Sequence, residues 1–150
     1  MLRKAKISDV NQIHKLINIF AKKDLMMPRS LNEIYENIRD FWVGVEKGKV
    51  VGCCALHVVG WEDMAEIKSL AVEVSCQRKN LGSKLLTSCL RESRCLGIKK
   101  VFALTYVPQF FTKFKFTRVD KATLPQKIWV ECCRCPKFPD CEEIAVVRKL

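Results

Sequence analysis

No apolar run in the sequence approaches the roughly 20 residues that a membrane-spanning helix needs. The opening stretch, Met1-Leu-Arg-Lys-Ala-Lys6, also lacks the apolar centre of a secretory signal. A cytoplasmic location with no membrane partner is therefore the expectation. Histidine is scarce, at two residues, and no zinc-finger spacing with paired histidines occurs. There is no basic tail and no aromatic motif of the RNA-binding kind, which puts nucleic acid last among the partner readings. Internal repeats and long linkers are missing too, so one domain over residues 1–150 is expected, large enough to bury a core. Nor do the nine cysteines make an even count. In a cytoplasmic chain they point to reduced thiols rather than a disulfide framework.

Acidic residues are outnumbered, with 27 Lys and Arg against 16 Asp and Glu, a formal charge of +11. That balance suits an anionic ligand, whether phosphate-bearing, dicarboxylate or nucleic acid. The basic residues are spread along the chain, so most read as solvated surface charge.

Apolar spacing lays out the elements. Residues 2–7 read as a strand, and Ser8-Asp9 as the cap of a helix through Val10, Ile13, Leu16, Ile17 and Phe20. After Met27-Pro28, the capping box Ser30-x-x-Glu33 starts a second helix through Ile34, Tyr35 and Ile38. Strands 41–46 and 50–59 form a hairpin across Lys47-Gly48-Lys49. A strand over 65–73 follows, then a helix from about 80 to 95 ended by Gly97. Strand 99–106, a short helix begun at Pro108, and strands 116–119 and 143–148 complete the plan. The order βααβββαβαββ is a mixed α/β plan.

The junction of strand 65–73 with the next helix carries the strongest functional signal. The run Gln77-Arg78-Lys79-Asn80-Leu81-Gly82-Ser83-Lys84 is a basic loop that enters a helix with Leu81, Leu85, Leu86, Cys89 and Leu90 on one face. The free N–H groups of a first helical turn, together with the helix dipole, make an anion site. Gln77-x-x-Asn80-x-Gly82 resembles the pyrophosphate loop of the GNAT acetyltransferase superfamily, Gln/Arg-x-x-Gly-x-Gly/Ala. Asn80 stands where glycine is usual, and asparagine tolerates the left-handed backbone better than other side chains. The element order is also that of a GNAT fold. The resemblance implies an α/β (α+β) protein with a central mixed, mostly antiparallel sheet flanked by helices. It also implies acetyl-CoA as cosubstrate.

Further stretches sharpen the likeness. Met27-Pro-Arg-Ser30, Val51-Gly-Cys-Cys-Ala-Leu56, Ala65-Glu-Ile-Lys-Ser-Leu-Ala-Val72, Lys100-Val-Phe-Ala-Leu-Thr-Tyr106, Phe110-Phe111 and Val119-Asp-Lys-Ala-Thr-Leu-Pro125 resemble the acetyltransferase domain of N-acetylglutamate synthase over about residues 1–130. That family opens arginine biosynthesis. Many of its members also carry an amino-acid-kinase-like domain that senses arginine, for which 150 residues leave no room. Departures from the pattern are Arg78 and Asn80 for loop glycines, Lys115 for the glycine of a Gly-Phe ending, and Phe111 where many GNAT enzymes have a proton-donating tyrosine.

The residues can be assigned roles on this basis. Glu66, at the mouth of strand 65–73, is the candidate general base acting through water, against a bland reading as an exposed strand-start carboxylate. The backbone of Leu70, Ala71 and Val72 resembles the segment that pairs with the pantetheine arm, and an N–H there would hold a developing oxyanion. Gln77 to Lys84 and Phe111 complete the cofactor-binding set. Tyr106 supplies the nearest hydroxyl in sequence to replace the missing acid, with a buried, satisfied tyrosine as the rival reading. Arg29, at the family's Arg-Ser position, and Lys68, on the same strand face as Glu66, are candidate anchors for two carboxylates, each against a reading as surface charge.

Cys132-x-x-Cys135, with Cys133 and Cys141, has half of a zinc-site spacing. A second spaced pair is missing, so this Cys-rich segment, 132–141, reads as packed or free thiols and no metal is expected. The leading expectation is transfer of an acetyl group from acetyl-CoA to a small amino acid, L-glutamate first. Another amine acceptor, on a small molecule or a protein, and a non-catalytic acetyl-CoA-binding module remain as alternatives. A homodimer is left open.

Overall fold

Branched and aromatic runs make strands, and amphipathic runs make helices, in the order the periodicity predicts. The strands are β1 (Leu2–Lys4), β2 (Phe41–Glu46), β3 (Lys49–Val58), β4 (Met64–Val72), β5 (Lys100–Thr105), β6 (Thr117–Val119) and β7 (Ile144–Lys149). The helices are α1 (Val10–Ala21), α2 (Leu31–Glu36), α3 (Leu81–Leu96) and α4 (Pro108–Thr112). The computed structural model describes residues 1–59, 63–124 and 143–150, with the backbone alone of Arg78. Cys132, Cys133, Cys135 and Cys141 lie outside the described residues.

Among the described residues, one seven-stranded sheet has the order β1-β2-β3-β4-β5-β7-β6. Neighbours pair antiparallel except β4 and β5, which run parallel. Parallel neighbours need a crossover, and α3 is that crossover. The β2–β3 hairpin closes through Lys47 and Gly48, both at positive φ (51° and 75°), a backbone twist that matches the flanking strands.

Each sheet face has its own core. On one side α3 and α4 bury Leu85, Leu86, Cys89 and Phe111 against Val51, Leu56, Ile67 and Val101. On the other, α1 and α2 bury Val10, Ile13, Ile17 and Ile34 against Val43, Cys53 and Ala55. Each fully buried aliphatic side chain stabilises the fold by about 1.5–3 kcal/mol before chain entropy is set against it. Cys53, Cys54, Cys76, Cys89 and Cys95 are free thiols. The sulfurs of Cys54 and Cys89 meet at 3.6 Å between β3 and α3.

Three local expectations need correction. The first strand ends at Lys4, because Ile7–Asp9 forms a 3₁₀ turn. Asp9 does not cap α1. Its carboxylate accepts the Lys6 N–H at 2.7 Å and a two-pronged contact from Arg3 at 2.7 and 3.1 Å, which turns it away from the helix amides. Helix α2 stops at Glu36, with Ile38 in a 3₁₀ turn and Tyr35 exposed, so only Ile34 of the expected stripe is buried. The Ser30 cap does form, its hydroxyl accepting the Glu33 N–H at 3.1 Å.

Candidate active site

The site begins where two strands part. β4 and β5 pair from Met64–Ile67 against Lys100–Ala103 and no further. Just beyond, Ser69 adopts a positive φ of 56°, rare for a residue inside a strand. Lys68 still pairs with Ala55 and Ala71 with Cys53, so Ser69 and Leu70 together face Cys54. An extra residue of this kind bends and twists its strand. The bend is pinned by the Cys53 thiol, which donates to the Ser69 carbonyl at 3.3 Å. The result is a fork: Ala71 and Val72 keep their pairing to Cys53 and Gly52 of β3, Leu70 is the extra residue of the bulge, and none of the three pairs with β5.

The basic loop closes the wide end of the fork. Val74–Lys79 makes a 3₁₀ turn, and Gln77 Nε2 donates to the Val72 carbonyl at 3.0 Å, folding the loop back onto the strand end. Asn80 sits at φ 59° and ψ 20°, the left-handed geometry for which glycine or asparagine is suited. Helix α3 then starts at Leu81, and its first helical bond runs from the Lys84 N–H to the Asn80 carbonyl at 3.0 Å. The N–H groups of Leu81, Gly82 and Ser83 precede that bond, and Asn80 adds no side-chain cap. A Cβ placed on Gly82 would meet Phe110 and Val72 only at 3.7–3.8 Å. Protein packing does not demand glycine here; its bareness leaves the helix start open to a ligand. Exposed Lys84 lies on the same turn, while Lys79 pairs with Glu46 at 3.6 Å. These groups fit the phosphates of a coenzyme A molecule: free amides, a positive helix end and lysines beside it.

Glu66 and Lys68, the candidate acceptor residues on β4, lie on the face that bears α1 and α2. Glu66 is 8% exposed, and strand alternation puts Lys68, which is half-buried, on the same face. The exposed-carboxylate reading of Glu66 therefore fails. Arg29 belongs to the segment before α2, with Nη1 3.3 Å from Glu33 and a side chain 11% exposed. Asn18 of α1 holds that segment by donating to the Arg29 carbonyl at 3.1 Å.

At the end of β5 two hydroxyl residues follow one another. Thr105 is buried and accepts the Val107 N–H at 2.9 Å; Tyr106 is half-buried and lies just past the strand. Phe111 packs into the core, 5.2 Å from the Phe116 ring, whereas its neighbour Phe110 is the one beside Gly82 and Val72. The sequence offered no signal for Thr105 or for choosing Phe110 over Phe111. Nothing in the sequence links His57 with Asp40, which stand 2.7 Å apart in the fold but 17 positions apart in the chain.

Comparison with known proteins agrees with this geometry. The sequence profile of the acetyltransferase (GNAT) family matches residues 7–116. An uncharacterised N-acetyltransferase of Chlorobaculum tepidum is 37% identical over 149 residues, 99% of this chain and 96% of its own length. An amino-acid acetyltransferase of Mycobacterium tuberculosis is 34% identical over 137 residues, 89% of this chain and 78% of its own. Among solved structures, N-acetylglutamate synthase of Neisseria gonorrhoeae, complexed with coenzyme A and N-acetyl-glutamate, superposes with a TM-score of 0.91 at 25% identity. That match covers all of this chain and 35% of the larger protein. With a forked mixed sheet, an uncapped helix start and a family profile that spans most of its length, the chain belongs to the GNAT acetyltransferase family and uses acetyl-CoA as its cosubstrate.

Proposed function

We propose that the chain transfers the acetyl group of acetyl-CoA to the α-amino group of L-glutamate, making N-acetylglutamate. The observation that carries this reading is the placement of a nearly buried carboxylate, Glu66, and the Lys68 ammonium on one face of β4, at the point where β4 leaves β5. A base and a carboxylate anchor are what an amino-acid acceptor requires. The names of the mycobacterial and gonococcal relatives support the same acceptor class.

In this mechanism Glu66 draws a proton from the substrate amine through water, which frees the nitrogen lone pair for attack. The segment Leu70–Val72 offers a backbone N–H to the carbonyl oxygen as negative charge develops on it. The amides of Leu81, Gly82 and Ser83, with Gln77, Arg78, Lys79, Asn80 and Lys84 around them, hold the phosphates. Tyr106 gives a proton to the departing sulfur, since Phe111 has none to give. Arg29 and Lys68 take the two carboxylates; Arg29 exchanges Glu33 for the ligand, and its planar fork suits a bidentate grip.

The test is thiol release from acetyl-CoA by the purified protein across amino acids and amines, with the protein's own cysteines subtracted as background. Release that needs L-glutamate supports the reading, and Arg29→Ala then raises the glutamate KM by roughly tenfold or more. Release with a different acceptor discards glutamate and keeps the chemistry.

A further inference from the structure

We propose that His57, held by Asp40, is a second proton-accepting group of this active site, beside Glu66. The inference rests on the acetyl-transfer reading, but not on glutamate being the acceptor. Three observations carry it. His57 Nδ1 lies 2.7 Å from Asp40 Oδ2, a short contact between β3 and the 3₁₀ turn Ile38–Asp40 that follows α2. A carboxylate accepts, so Nδ1 carries the hydrogen and Nε2 keeps its lone pair in the neutral ring. His57 is also the direct partner of Glu66 across β3 and β4. Residues opposite each other share a sheet face, with Cβ atoms about 4.5–5.5 Å apart. Finally, the His57 side chain is 38% exposed, whereas Glu66 is almost covered.

The reaction gives such a group a task. An amino acid reaches the site as an ammonium ion and must lose one proton to attack and another once the new bond to carbon has formed. Glu66 alone, shut off from bulk water, would have to discharge between the two. In the proposed step Glu66 has taken the first proton and nitrogen has bonded to the acetyl carbon. A remaining N–H bond of that positively charged nitrogen then breaks, and its electron pair stays on nitrogen. The proton forms a new bond at His57 Nε2, the imidazolium is stabilised by Asp40, and the proton leaves to solvent from this part-exposed side chain. Lys68, two residues from Glu66 on the same face, carries the opposite charge to Glu66 and does not compete for this proton.

A purely structural role, tying the turn before β2 to β3, makes a different forecast. Steady-state kinetics of wild type, His57→Ala, His57→Gln and Asp40→Asn, each with the acceptor that wild type uses best, separates them. The expected result is a kcat lower by roughly 100-fold in His57→Ala, with KM for both substrates within about twofold. Free imidazole should restore turnover to His57→Ala and leave His57→Gln unchanged. Asp40→Asn should fall between wild type and His57→Ala. Equal kcat in wild type and His57→Gln overturns the proposal. So does a loss in His57→Ala that imidazole does not rescue while the thermal unfolding curve stays cooperative. If His57→Ala does not fold, the kcat and KM of His57→Gln decide. A wild-type protein inert on every acceptor overturns the acetyl-transfer reading itself, and is seen in the wild-type arm alone.

Discussion

Gly44 stands directly opposite Gly52 across β2 and β3, and the side chain of Leu81 occupies the space above them. A Cβ on Gly44 would lie 2.6 Å from Leu81 Cδ1, and one on Gly52 would lie 2.9 Å from Leu81 Cδ2. Leu81 is the first residue of α3, so these two bare positions set how closely the helix start approaches the sheet. Gly44→Ala should push Leu81 outward, destabilise the protein by about 1–3 kcal/mol, and raise the acetyl-CoA KM more than the acceptor KM. Thermal unfolding and initial rates check it. A raised acceptor KM alone would show that the helix start had not moved.

Asn80 holds the left-handed turn that releases the chain into α3. Asn80→Gly should leave the acetyl-CoA KM unchanged, because glycine adopts this geometry freely. Asn80→Val should cost about 1–2 kcal/mol of strain and weaken cofactor binding. Isothermal titration with coenzyme A compares the two.

Glu66→Gln should lower kcat by about 100-fold or more with little change in either KM. Unaltered turnover and pH profile would remove Glu66 from the mechanism. Tyr106→Phe should lower kcat by roughly tenfold or more if its hydroxyl protonates the sulfur. Thr105→Val is the companion variant, since its hydroxyl lies one residue away. Loss in Thr105→Val with Tyr106→Phe intact would move the role to Thr105.

Away from the site, Asp9 makes stability depend on pH. The hydrogen bonds from Arg3, seconded by the Lys6 N–H, hold its carboxyl below the usual carboxylate range. A depressed folded-state value stabilises the protein fully above the unfolded value of about 3.9, and that contribution fades as pH falls through the folded value. Asp9→Asn should therefore lose about 1–3 kcal/mol at pH 7, and the gap to wild type should close below about pH 4. Denaturant melts at several pH values measure it. A gap that stays constant down to low pH would contradict the assignment.

Local chemistry made much of this architecture legible. Pro108 at the start of α4, Gly97 at φ 81° after α3 and the Lys47-Gly48 hairpin all follow from backbone restrictions within a few residues. Asn80 was readable for the same reason. The bend at Ser69 was not. Serine carries no marked left-handed preference, and the bend exists because β4 must keep its ladder to β3 while parting from β5. Asp9 misled because a carboxylate just before a helix suits capping, yet a guanidinium six residues earlier was the stronger partner. His57 with Asp40, and Phe110 beside Gly82, depend on which segments the fold brings together, and no periodicity encodes that.

The fork has a thermodynamic side as well. Past Ile67, β5 satisfies none of the main-chain groups of Leu70–Val72 that face away from β3, and Gln77 takes only the Val72 carbonyl among the described residues. A ligand that hydrogen-bonds along this segment acts toward the sheet as a missing strand, in the manner of β-augmentation. Occupancy then feeds back on folding: at a concentration about 100 times its Kd, a ligand bound only by the folded form adds about 2.7 kcal/mol. The gap between β4 and β5 thus couples occupancy to stability, and the protein should be sturdier loaded than at rest.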